Sequence, residues 1–230
     1  MIRLRKAEER GRADHGWLLA QHSFSFANYF DPDHMGFRSL RVLNEDRIAP
    51  DTGFPMHSHR DMEILTYVIS GQLEHKDSMG NGAVIEAGEF QLMSAGSGVR
   101  HSEANPSMTD ETHLLQIWIL PSERNLTSGY VQKRFDGHDN QLVKVVSPSD
   151  SNGTMKIHQD VEIYSATLDA ASEVDHSLAK DRYAWVQVIA GDLTVNGNEL
   201  RPGDSAAVSD EPLLNLQTSE GAEFLLFDMA

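Results

Sequence analysis

Short runs rich in β-branched and aromatic residues recur along this chain at intervals of about ten residues, most of them closed by a turn signal, and no long segment carries a helical period. In the first half the runs fall at 39–43, 63–69, 72–76, 84–86, 89–93 and 114–120. In the second they fall at 142–146, 161–164, 184–189, 193–195 and 224–227. Gly71, Asn81-Gly82, Ala87-Gly88 and Asn196-Gly197 punctuate them. The run at 114–120 is nearly continuous apolar, as a strand buried on both faces would be, and Pro121 ends it. Many short strands at even spacing predict an all-β barrel or sandwich.

The 230 residues suffice for one large domain or two ordinary ones. The stretch 121–140 is loose, with Pro, Ser, Asn, Gly and several charges, and reads as a crossing between halves. The halves also rhyme. One strand ends at Ile69-Ser70-Gly71 and a later turn reads Glu86-Ala87-Gly88-Glu89. In the second half the counterparts are Ile189-Ala190-Gly191-Asp192 and Arg201-Pro202-Gly203-Asp204. The rhyme predicts a duplicated barrel, with residues 1–130 forming the first domain and 131–230 the second.

A formal net charge of −16 disfavours phosphate backbones and anionic membrane surfaces, so neither nucleic acid nor membrane is an expected partner. Cys is absent, which removes disulfides and thiolate metal sites together. The first ten residues are charged throughout and lack the apolar middle of a signal peptide, and no apolar run is long enough to cross a bilayer. The expectation is a cytoplasmic protein.

Two phrases carry the chemistry: His57-Ser58-His59 and His101-Ser102-Glu103. On a strand, side chains at i and i+2 share a face. Brought together by barrel closure, these phrases would converge three imidazoles and one carboxylate on one point. Four such ligands on a six-coordinate metal leave two positions open, which fits substrate or O₂ binding better than a closed structural zinc site. Imidazole suits Zn, Cu, Fe and Ni, and the carboxylate shifts the balance toward Fe, Mn or Ni.

The surrounding residues resemble the pirin family of cupins. Residues 53–63, Gly53-Phe54-Pro55-Met56-His57-Ser58-His59-Arg60-Asp61-Met62-Glu63, are similar to the first cupin motif. Gly88 through Ser94-Ala95-Gly96-Ser97-Gly98-Val99-Arg100-His101-Ser102-Glu103 is similar to the second in its pirin form. Further similar stretches lie at 22–29, 65–68, 74–81 and 156–160, so the resemblance covers nearly the whole chain. It implies a bicupin, two jelly-roll β-barrels packed face to face, with one metal in the N-terminal barrel held by His57, His59, His101 and Glu103. Many cupins use a carboxylate from the first motif, here Glu63. The pirin pattern takes it from the second motif and leaves Glu63 a supporting or structural role. The second half has only the unpaired His138, His158 and His176, as in a barrel without metal.

The resemblance is nearest to bacterial pirins with quercetin 2,3-dioxygenase activity. It implies an enzyme that opens a flavonol ring with O₂ and releases CO. Fe(II) is the expected metal, with Ni, Co, Mn, Cu and Zn as alternatives. Glu103 would accept the substrate's hydroxyl proton. Phe54, Met93, Leu115 and Trp118 would either wall the pocket or pack the core, and His113 and Gln116 would either support the ligands or serve only as strand residues. The partners expected are a small aromatic substrate and O₂, on a monomer. Two other readings stay open: a metal-containing redox sensor acting through a protein partner, and a dioxygenase for a different aromatic substrate.

Overall fold

The computed structural model describes residues 1–137, 139–149 and 153–230, so His138 lies outside the described residues. Among these, the chain is strand and loop, apart from a single 3-10 turn at Ala7–Glu9. No helix is long and apolar enough to cross a membrane.

The strands sort into two compact units. One comprises Gly11–Arg134 with Ile157–Gln159. The other comprises Met1–Arg10, Phe135–Lys156 and Asp160–Ala230. The N-terminal unit has a seven-stranded sheet in the order Gly129–Arg134, Glu89–Ser94, Glu63–Ser70, Thr112–Ile119, Leu40–Ile48, Leu18–His22, Gly11–Asp14. Its second sheet runs Gly53–His59, Val99–Ala104, Gln72–Asp77, Gly82–Glu86. All of these pairings are antiparallel.

The C-terminal unit repeats the plan of one seven-stranded and one four-stranded sheet, except that Met155–Lys156 runs parallel to Val143–Ser147. Its large sheet runs Ile2–Arg5, Ser205–Val208, Tyr183–Gly191, Ala222–Met229, Val161–Leu168, Val143–Ser147, Met155–Lys156, and its small sheet Glu173–Ser177, Leu213–Gln217, Leu193–Val195, Asn198–Leu200. The duplication expected from the rhyme is thus a duplication of topology: two cupins. The matching glycines have a physical reason. Gly71 (φ 76°) and Gly191 (φ 68°) both take the left-handed conformation at the end of equivalent strands. A Cβ on either would run into backbone, at Glu111 in the first unit and at Gly221 in the second.

The first ten residues belong to the C-terminal unit, although the sequence reading places them with the N-terminal barrel. Ile2–Arg5 pairs with Ser205–Val208 as the edge strand of the large sheet. Ile2 and Leu4 pack against the buried cluster around Val186, Leu193, Val208 and Phe224. In the N-terminal unit, Leu18, Ile48, Val68, Leu73, Ile85 and Leu114 form one core cluster, and Ile64, Met93, Ala95 and Val99 a second. The metal-competent residues lie on the neighbouring strands.

Candidate metal centre

Two antiparallel neighbours, Gly53–His59 and Val99–Ala104, present the histidines. His101 stands opposite His57, and Val99 opposite His59. Beyond His101 the register slips, so that Glu103 pairs with Phe54. The extra residue falls at Pro55-Met56, where proline has no N–H to give the ladder and a bulge is tolerated. The Pro55 carbonyl accepts a hydrogen bond from His57 Nδ1 at 2.8 Å. That bond places a proton on Nδ1, which makes Nε2 the nitrogen available to a metal.

The three imidazoles meet as i, i+2 alternation and cross-strand pairing require. Ring centroids are 4.8 Å apart for His57 and His59, 4.4 Å for His57 and His101, and 4.8 Å for His59 and His101. Their donor nitrogens all lie within 4.8 Å of one another. His57 Nε2 and His101 Nε2 are 2.9 Å apart. Two nitrogens bound at right angles to one metal, each about 2.1 Å from it, are also about 3 Å apart, so this spacing suits a shared ion. Burial, reinforced by His57, pushes His59 down to about 4. Burial and the neighbouring imidazoles push His101 down to about 3. Both rings are therefore neutral near pH 7, the form that binds metal. His101 Nδ1 is buried without a hydrogen-bond partner.

Glu103 is 4% exposed, and burial pushes its carboxyl up to about 7. Gln116 opposes that shift by donating from Nε2 to both carboxylate oxygens at 3.2 Å. The amide's orientation is set by Thr66, whose hydroxyl donates to Gln116 Oε1 at 3.3 Å. Glu103 lies within 4.8 Å of His101 in a second cluster completed by His75, not by His57 and His59. Sequence reasoning passed over His75. The available signal was alternation, since Leu73, His75 and Asp77 share a face of Gln72–Asp77 and Glu103 pairs directly with His75. Both nitrogens of His75 are engaged, one by Asp77 Oδ2 and one by Gln91 Nε2, each at 3.2 Å. With its ring 5.2 Å from that of His101, it packs beside that ligand candidate and offers no free lone pair.

A cavity of about 350 Å³ opens over the histidines. Of the four residues that could wall the pocket or pack the core, Phe54 and Trp118 line it, joined by Phe26, Ile64, Asn44 and Asp46, which sequence reasoning missed. Gln116 lines it too, while Leu115 does not: it lies on the opposite face of Thr112–Ile119, with His113. His113 pairs with Glu45 at 2.9 Å, away from the site. Met93 is fully buried in the cluster around Ile64. Glu63 is buried and receives hydrogen bonds from Ser94 (2.8 Å) and His158 (3.3 Å), and it belongs to neither metal-competent cluster. Burial, then the charges of Glu103 and Glu45, push Asp46 up to about 8.

Three imidazoles with a carboxylate nearby suit one divalent transition metal. Among its described residues, the C-terminal unit offers no such set. On its equivalent strands Asp175 faces Asn215 and His176 faces Leu214. His176 Nε2 is tied to Asp228 at 2.9 Å, and Arg182 bonds the same carboxylate. Neither cluster of metal-competent side chains found among the described residues falls in this unit.

Residues 3–119 match the Pirin family profile, and residues 144–229 match the profile for the quercetinase C-terminal cupin domain. The chain is 50% identical over 229 residues to the quercetin 2,3-dioxygenase of Escherichia coli K12, covering 100% of this chain and 99% of that protein. The crystal structure of YhhW from Escherichia coli superposes with a TM-score of 0.98 at 50% identity, over 100% of this chain and 98% of that one. A second structure, the bacterial pirin YhhW in complex with nickel(II), gives 0.96 at 49% identity, over 100% and 99%. A Pirin-like protein of Caulobacter vibrioides is 42% identical over the full length of both chains. With these full-length matches, and with the metal-competent clusters among its described residues confined to the first of two cupins, the chain belongs to the pirin family.

Proposed function

We propose that the protein is a metal-dependent dioxygenase that opens the ring of a flavonol such as quercetin with O₂ and releases CO. The observation that carries this reading is the convergence of His57, His59 and His101, with Glu103 beside them, under a cavity walled by Phe26, Phe54, Ile64 and Trp118. His57, His59, His101 and Glu103 would hold one divalent metal, with Fe(II) the proposed occupant. When bound, the metal supplies a docking point for the flavonol oxygen and a path for its electrons to O₂.

The chain's own residues do the rest. Glu103, buried beside the histidines, would take the flavonol hydroxyl proton on a carboxylate oxygen. Gln116, locked by Thr66, aims that carboxylate. Trp118 meets His59 edge to face at 4.9 Å and Phe26 at 5.3 Å, giving planar aromatic walls that suit a flat substrate and exclude water. The similarity to proteins named quercetin 2,3-dioxygenase supports the substrate class.

The test is oxygen uptake with quercetin in air, using chelator-stripped protein reloaded separately with Fe(II), Ni(II), Co(II) or Mn(II). Many turnovers with one metal, abolished in His57→Ala and Glu103→Ala, are expected. Stoichiometric metal without turnover would replace the dioxygenase by a sensor or by a different substrate, and failure to bind any metal would remove the site itself.

A further inference from the structure

Asp46 is the polar group of the cavity whose presence the metal site leaves unexplained. It lies on Leu40–Ile48, 4% exposed, and lines the same cavity as His57, His101 and Glu103. Its Oδ1 is buried with no hydrogen-bond partner. Its cross-strand neighbours are Leu114 and Ala20, which have no side-chain donor to give. The flanking residues of its strand point the other way: Glu45 is taken by His113, and Arg47 by Glu111. Two other polar residues of the lining already have partners. Asn44 Oδ1 bonds His22 Nδ1 at 2.8 Å, and Gln116 spans Thr66 and Glu103. A buried carboxyl without a partner costs stability, and packing alone would favour an apolar residue here.

We infer that Asp46 accepts a hydrogen bond from a second hydroxyl of the substrate, so that the cavity selects polyhydroxylated planar aromatics over those bearing only the metal-directed hydroxyl. This deepens the reading above and rests on it. Asp46 acts on selection, through an oxygen separate from the ligand set. A cavity built to bond a hydroxyl rejects the analogue that lacks it, because the buried oxygen is then left unpaired.

The experiment compares binding of quercetin with binding of unsubstituted flavonol, which keeps the metal-directed hydroxyl and lacks the others. Metal-loaded wild type, Asp46→Asn and Asp46→Leu are titrated without O₂, and quenching of the cavity tryptophan Trp118 is followed. Wild type is expected to prefer quercetin by about ten- to a hundredfold. Asp46→Leu is expected to lose that preference while still binding unsubstituted flavonol, and Asp46→Asn, which keeps an acceptor oxygen, to retain part of it. Metal content is expected to be the same in all three. Equal affinity of wild type for the two compounds, or an unchanged preference in Asp46→Leu, would overturn the inference. So would loss of metal from Asp46→Asn, which would make Asp46 a ligand. Failure of wild type to bind either compound would instead remove the flavonol reading on which the inference stands.

Discussion

Burial holds Glu103 near 7, so around neutral pH a proton and a cation compete for the same carboxylate. The sign follows. As pH falls through about 7 the carboxylate takes up its proton, and metal affinity drops. The buried rings of His59 and His101 protonate only near 4 and 3, so they do not set this step. Calorimetric titration of metal in two buffers of different ionisation enthalpy at pH 7 counts the protons released. Glu103→Gln is expected to release fewer and to bind about ten- to a hundredfold more weakly at pH 8. Equal proton release from both proteins would take Glu103 out of the ligand set. The i, i+2 spacing of His57, His59, His101 and Glu103 was legible because strand alternation is a local rule. Asp46 was not, because only the cross-strand register brings it to the site; His75 pairs with Asp77 at i, i+2, and what stayed hidden was that Glu103 stands opposite it.

At the scale of the strand, alternation also decides between the two roles, pocket wall or core, that the sequence leaves open. Residues 115 and 116 are consecutive on Thr112–Ile119 and cannot both face the cavity. The structure turns Gln116 and Trp118 inward and leaves Leu115 with His113 on the other face. A continuous apolar run hides this choice, because a strand buried on both sides gives no polar face from which to read orientation. Glu63 is settled at the same scale. It sits opposite Ser94 on Glu89–Ser94, and His158 reaches it from the short segment Ile157–Gln159. Glu63→Ala strands the Ser94 hydroxyl and the His158 ring. It is expected to destabilise the protein by about 1–3 kcal/mol in urea denaturation, with metal content unchanged. A proportional loss of metal would return Glu63 to the ligand candidates.

Across the whole molecule, the all-β class and the duplication were legible from turn rhythm, down to Gly71 and its counterpart Gly191. The placement of the first ten residues was not. Ile2 and Leu4 alternate with Arg3 and Arg5 as an edge strand should, but their partner strand lies almost the full length of the chain away and leaves no local trace. Deleting residues 1–10 bares the edge at Ser205–Val208. The expected result is a melting transition of the C-terminal unit lowered by at least about 5 °C, with metal content held. An unchanged melt would make the strand dispensable.

That same strand sets an order of events on the ribosome. Ile2–Arg5 is made well before its partner Ser205–Val208. Most of the N-terminal cupin, residues 11–134, emerges complete before any of the C-terminal large sheet's inner strands exist. Through that interval the leading strand waits unpaired ahead of a cupin that does not use it. Its two arginines, alternating with Ile2 and Leu4, keep the waiting segment charged and so guard it against pairing with the wrong neighbour while the rest of its sheet is still being translated.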